Sequence, residues 1–195
     1  MKKIVLILLA LFSFNLYSQN IDDKPMKINE KYFTDDGNLK NNKDLSVYAI
    51  RKIRFTDKSS YEILISKNNY WYYYTLFQIE SNSKYKYIGT IALSSFNDNI
   101  EGLVGNIVYK DNYFTIEHNV MSALKMYITF KYNNDKKIYL DKASMIIQTV
   151  DASSITDTND IKIPPKQVNG NIVPNKILYE DVTMDMITKT LSLDI

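Results

Sequence analysis

The 195-residue sequence predicts a mainly β protein, built as a single antiparallel meander, sandwich or partly open barrel of eight or nine strands with one C-terminal helix. Three observations carry that expectation. Apolar residues recur with the two-residue period of a half-buried strand, the polar stretches between such runs are short, and a helical stripe occurs only near the end of the chain. Parallel strands need crossover connections of about a dozen residues or more, so short polar turns imply antiparallel neighbours.

Residues 1–18 stand apart from that pattern. Lys2 and Lys3 precede an apolar run from Ile4 to Phe14 that only Ser13 interrupts, and Ser18 before Gln19 offers a small residue for cleavage. That order of charge, apolar run and small residue is the signature of a secretory signal peptide. The run is shorter than the roughly 20 residues a membrane span requires. The expected mature chain therefore begins at or near Gln19, leaves through the general secretory route for the periplasm or extracellular space, and keeps no transmembrane segment after cleavage. No cysteine is present to carry a lipid anchor.

Residues 19–45 read as an N-terminal extension and 46–195 as one β-rich domain. Val47–Phe55 and Tyr61–Lys67 read as strands separated by the polar turn Thr56–Ser60. Tyr70–Ile79 is the strongest strand signal because it is dense in aromatic residues, which fit a pleated surface. Glu80–Lys84 is a second polar turn, and Tyr85–Leu93 completes a four-strand meander. Asn106–Lys110 and Tyr113–Asn119 flank Asp111-Asn112, whose short polar side chains tolerate the positive φ of a tight hairpin. Leu124, Met126, Ile128, Phe130 and Tyr132 then alternate with Lys125, Tyr127, Thr129 and Lys131, which defines an inner and an outer face. Asn133–Lys136 turns the chain into a strand from Lys137 toward Val150.

Residues 151–176 break the periodicity and read as a long loop containing Ile163-Pro164-Pro165. Beyond it, Leu178, Val182, Met186 and Leu191 fit a helical stripe, with Glu180 and Asp181 at the end that favours negative charge.

Charge and composition narrow the function classes. The chain has 24 Lys+Arg and 22 Asp+Glu, and removal of Lys2 and Lys3 with the signal leaves 22 of each sign. A balanced chain lacks the overall basic field on which nucleic-acid binding rests, so no nucleic-acid partner is expected. Absence of cysteine excludes disulfides, thiolate nucleophiles and zinc–thiolate sites.

His118 is the only histidine, so any histidine-based triad must use it. By alternation it shares a face with Phe114 and Ile116 and points away from Glu117, which favours a structural histidine over half of a catalytic dyad. Asn97, Asn99, Glu101 and Gly102 imitate the start of a calcium loop, but Val108 stands where a bidentate glutamate is required. The acidic cluster Asp151, Asp157, Asn159 and Asp160 reads as a solvated loop. No catalytic residue, metal ligand or cofactor is expected.

Tyrosine is the compositional outlier, with 16 in the chain and four between Tyr70 and Tyr74. If Trp71, Tyr73, Thr75, Phe77 and Ile79 face the core, then Tyr70, Tyr72, Tyr74, Leu76 and Gln78 face outward, and the rings form a ladder able to stack on a sugar, peptide or protein surface. The favoured alternative covers both faces, in a sandwich or beneath the C-terminal segment.

The block Tyr113-Phe-Thr-Ile-Glu117, followed by Tyr127-Ile-Thr-Phe-Lys-Tyr132 and Lys137-Ile-Tyr-Leu-Asp-Lys142, resembles paired hairpins of small exported bacterial β-proteins of uncharacterised function. Those proteins carry a tryptophan after the first hairpin strand, where this chain has Val120-Met-Ser-Ala-Leu124. The resemblance implies an exported β fold and no particular activity. The expected function is thus an exported, noncatalytic binding protein for a protein or glycan partner, with an immunity or inhibitor protein acting in the periplasm as a special case. A structural envelope component and a carboxylate-based hydrolase are the alternatives.

Overall fold

A computed structural model of the chain describes residues 24–68, 70–95, 106–121, 124–147, 166–169 and 177–191. The expected signal peptide and both calcium-like clusters lie outside these residues. Within them the chain forms two antiparallel sheets, each a meander in sequence order. Sheet 1 contains β1 (Ser46–Arg54), β2 (Ser60–Asn68), β3 (Trp71–Ile79) and β4 (Tyr85–Ser94). Sheet 2 contains β5 (Asn106–Lys110), β6 (Tyr113–Met121), β7 (Leu124–Tyr132), β8 (Ile138–Ile147) and the short β9 (Lys166–Asn169). No described strand joins one sheet to the other, so the fold is an open sandwich of two meanders and not a closed barrel.

One turn design recurs at the hairpins. Lys58 donates its backbone N–H to the Phe55 carbonyl and Phe55 donates to Ser59; Ser83 and Glu80, then Lys136 and Asn133, repeat the arrangement with Lys84 and Lys137. Each is a three-residue loop whose last position is left-handed, at Lys58, Ser83 and Lys136. Glycine is scarce, and a side-chain bond stands in for it. Asp57, Asn82 and Asp135 each accept the backbone N–H two residues on, at 2.9, 3.0 and 3.2 Å. The tighter β5–β6 hairpin turns at Asp111, where φ is 54°, in line with the expectation for Asp111-Asn112.

The main core lies between the sheets. Tyr61, Ile63, Ile65, Tyr72, Tyr74, Leu76, Ile91 and Leu93 of sheet 1 meet Phe114, Ile116, Met126, Ile128, Phe130 and Met145 of sheet 2. β6 passes beneath sheet 1 obliquely. Phe114 packs near Phe55, just past β1, whereas four residues later His118 reaches Tyr74 on β3 and Ser94 at the end of β4.

A second, smaller core lies on the opposite face of sheet 1. Phe33 of the N-terminal extension packs on Phe77 with Leu64 beneath it, bordered by Ile28, Tyr32, Leu39, Tyr85 and Tyr87. The extension is held by three backbone contacts: Met26 N–H to the Tyr73 hydroxyl, the Tyr87 hydroxyl to the Ile28 carbonyl, and Tyr85 N–H to the Asp35 carbonyl.

The C-terminal segment corrects two expectations. Part of the stretch read as loop is β9, which pairs with β8 from Ser144 to Ile147. The helix α1 is shorter than the stripe suggested, Met184–Thr190, and Glu180 and Asp181 lie in a separate 3-10 turn before it. Ile187 is buried where Met186 was expected, because the break at Val182–Thr183 resets the helical phase. Tyr179 of the 3-10 turn enters the main core and donates its hydroxyl to the Tyr74 carbonyl at 2.8 Å. The turn seats at Gly89 of β4, where an added Cβ would lie 2.7 Å from the Glu180 Cα.

Candidate functional site

The tyrosine strand is covered on both faces. Tyr72 and Tyr74 retain 4% and 0% of their surface and belong to the main core, so the face offered as an outward ladder is the inner one and the favoured reading, with both faces covered, holds. Tyr73 and Phe77 point the other way and are equally buried, beneath the N-terminal extension. Alternation separates two faces of a strand without saying which is inner, and here neither is bare. Of the four candidate binding residues, Tyr70 is exposed at 41%, and Gln78 is half-buried beside an open depression with Lys58, Ser60 and Glu80. The structure does not bring Tyr70, Tyr72, Tyr74 and Gln78 together as one stacking surface.

His118 is fully buried and links the sheets. Its Nε2 lies 2.9 Å from the Ser94 carbonyl, which can only accept, so Nε2 carries the proton. Nδ1 then accepts from the Tyr74 hydroxyl at 2.9 Å. Burial lowers the His118 pKa to about 4, partly opposed by the bond to Ser94, so the ring is neutral at pH 7. Burial likewise holds the Tyr74 hydroxyl well above its ordinary range. The pair is a neutral cross-sheet pin, as the shared face with Phe114 and Ile116 suggested.

At the turn end, Phe55 stacks on Tyr132 with ring centroids 4.5 Å apart, and the Tyr132 hydroxyl donates to Asp57 at 2.8 Å. The Thr56 hydroxyl donates to Asn112 at 2.6 Å. The Ser59 N–H, aided by the Tyr132 hydroxyl, keeps the Asp57 carboxyl below its usual range. These contacts clasp the β1–β2 hairpin to sheet 2. Among the described residues no three His, Cys, Asp or Glu side chains gather as a metal ion would require.

The outer face of sheet 2 differs in kind. Register places Lys110, Tyr113, Lys131 and Tyr139 in one row across four strands, and Val108, Thr115, Thr129 and Lys142 in the next. Asn106, Glu117, Tyr127 and Ser144 form a third. Lys131 sits 5.4 Å from the Tyr113 ring centroid, and its bond to that side chain raises its pKa. Asn106 donates to Glu117 at 2.8 Å. On this face Val108 exposes about half its surface and Tyr113 37%, and Tyr109, opposite Phe114 on the inner side, is half exposed at the β5 edge. The alternation of Lys125, Tyr127, Thr129 and Lys131 had marked this side as the polar one, but polarity alone did not single it out as a contact surface.

In comparisons with protein-family models, curated proteins and solved structures, nothing matches this chain.

Proposed function

We propose that this is an exported, noncatalytic binding protein that contacts a protein or glycan partner through the outer face of sheet 2 and the adjoining β5 edge. The carrying observation is the asymmetry of the two outer faces. Sheet 1 spends its aromatic outer face on packing beneath the N-terminal extension. Sheet 2 instead presents Val108 and Tyr113 on its outer face among lysines and threonines, while Tyr109, opposite Phe114 and so on the inner side of β5, leaves half its surface exposed at the adjoining edge. Tyrosine supplies large contact area at small entropic cost, which suits a recognition surface. Export rests on the charge, apolar run and small residue of positions 1–18. A periplasmic inhibitor or immunity protein is the special case this reading favours.

The test compares the wild type with a Tyr109→Ser/Tyr113→Ser variant, in pull-downs from an envelope fraction and on a glycan array. The expected result is partner capture weakened by at least about 1 kcal/mol per engaged ring while thermal unfolding is nearly unchanged. Capture that is indifferent to both substitutions would refute this surface.

A further inference from the structure

The edges of the two sheets are finished unequally. β8 is capped by β9 over Ser144–Ile147 and by a bridge from Tyr139 to Leu178, the 3-10 turn packs on the inner face of the β4 edge strand at Gly89, and β5 offers only five residues beside β6. β1 is different. It is nine residues long, its only described ladder partner is β2, and apart from buried Ile53 and half-buried Ala49 its side chains are exposed. An edge strand turns alternate N–H and C=O groups outward, where a further strand can bond to them.

Charge selects what that strand is. Ser46–Arg54 carries Arg51, Lys52 and Arg54 and no acid. On β2, Lys52 faces Glu62, whereas Arg51 faces Ile63 and Arg54 faces Ser60. A second copy paired antiparallel about Arg51 and Lys52 would bring like charges together across the new ladder, which is destabilising. An extended segment rich in Asp or Glu meets the same groups favourably. The irregularity between Val47 and Ala49 breaks the ladder at one end and leaves Ile50–Arg54 as the regular stretch. Ile50, 43% exposed, adds an apolar contact in its middle.

We propose that the β1 edge from Ile50 to Arg54 accepts an extended acidic segment of a protein partner as a fifth strand of sheet 1. This rests on the reading of the chain as a binding protein and gives it a second contact, distinct from the sheet 2 face. Main-chain bonds supply the affinity of such strand addition, and the basic side chains supply its selectivity.

The test uses the full chain with three short synthetic peptides: one alternating valine and glutamate, one alternating valine and lysine, and the glutamate peptide N-methylated at alternate residues. The glutamate peptide is expected to bind at least about tenfold tighter than the other two, with the advantage falling as salt screens the charges. It should also slow hydrogen exchange at alternate amides of Ile50–Arg54. An Arg51→Glu/Arg54→Glu variant should reverse the preference toward lysine.

Equal binding of the glutamate and lysine peptides would overturn the proposal, as would N-methylation without effect. So would β1 amides already protected in the isolated chain, whether by its own segments or by concentration-dependent self-association. A protein whose partner capture depends on Tyr109 and Tyr113 but which ignores the glutamate peptide would refute this edge site alone and leave the sheet 2 surface standing.

Discussion

Each sheet carries a directly paired threonine couple on its outer face, and the two couples meet different surroundings. On sheet 1, Thr75 and Thr90 share a hydroxyl bond of 3.0 Å, and Tyr87 adds its own hydroxyl to Thr90 at 3.1 Å. Thr75 there is fully buried, and Tyr87 reaches on to the Ile28 carbonyl of the N-terminal extension. On sheet 2, Thr115 and Thr129 share a bond of 2.9 Å, flanked by Val108 and Lys142 in the same row. Each couple has one buried member, Thr75 or Thr129, and one half-buried member, Thr90 or Thr115; what differs is that the N-terminal extension reaches the first row while exposed Val108 and Lys142 border the second. Strand sequence alone therefore does not decide what an outer face is for; the segment that crosses it does.

The sharpest way to break the comparison is at the inner layer, which both sheets share. Tyr74→Ala removes a fully buried ring from the main core and strips His118 Nδ1 of its donor. Large-to-small aromatic truncations cost about 3–5 kcal/mol, and the orphaned buried acceptor places this one at about 5. A chemical denaturation midpoint reads the loss. A cost below about 2 kcal/mol would mean that Tyr74 is not a core residue.

Next in size is the layer that only sheet 1 possesses. Phe33→Ala removes the ring that contacts Phe77 at 5.1 Å and Tyr87 at 6.1 Å. The expected loss is about 3–4 kcal/mol. It should also free the extension locally, so limited proteolysis within residues 24–45 should accelerate well below the global unfolding midpoint. If cleavage there keeps pace with global unfolding, the extension is an integral part of the sandwich and not a cover laid upon it.

Much of this arrangement was legible in the sequence. Eight strands start within a residue or two of the spans that period-two patterning and polar turns assign, and seven also end so; β8, read as running toward Val150, is described as far as Ile147. His118 sits on the inner face it was expected to share with Phe114 and Ile116. The candidate site was not legible, for a physical reason. Aromatic density at Tyr70–Tyr74 reports how much surface is buried in total, and a strand buried on both faces looks aromatic throughout. What covers Tyr73 and Phe77 is Phe33, some forty residues earlier, in a stretch with no period of its own. Nor does any local signal reveal that Lys166–Asn169 returns to pair with β8.

A pH titration sharpens the inner layer from another direction, with a slightly smaller effect. The His118 pKa drops from 6.5 to about 4 on folding because burial penalises the charged ring. Between those values the unfolded chain binds a proton that the folded chain does not. Stability is therefore fully present above pH 6.5, falls as pH is lowered toward 4, and receives no further loss from this group below that. At about 1.4 kcal/mol per pKa unit the total is on the order of 3 kcal/mol. Urea midpoints measured from pH 7.5 to 3.5 should show this slope in the wild type and lack it in His118→Gln. A wild-type profile matching that of the variant would place the histidine in contact with water.

The smallest expected effect is the most direct reading of the two outer faces. Thr115→Val and Thr75→Val make the same change, a hydroxyl for a methyl, at matched cross-strand positions. On sheet 2 Thr129 is itself buried, but its row is bordered by exposed Val108 and Lys142, and valine's fit to a pleated surface offsets part of the lost bond, so stability should move by no more than about 0.5 kcal/mol. On sheet 1 the change falls in a layer closed by Tyr87 and the extension, where Thr90 keeps Tyr87 as a partner but loses Thr75. A buried hydrogen bond contributes about 1 kcal/mol net, so Thr75→Val should cost about that much more than Thr115→Val. Removing the cover should abolish the difference. In a Phe33→Ala background, with the extension displaced, water reaches Thr90 and the two valine substitutions should become equivalent. A difference that survives in that background would trace to the strands themselves, and the contrast between a covered and an open face would then lose its physical basis.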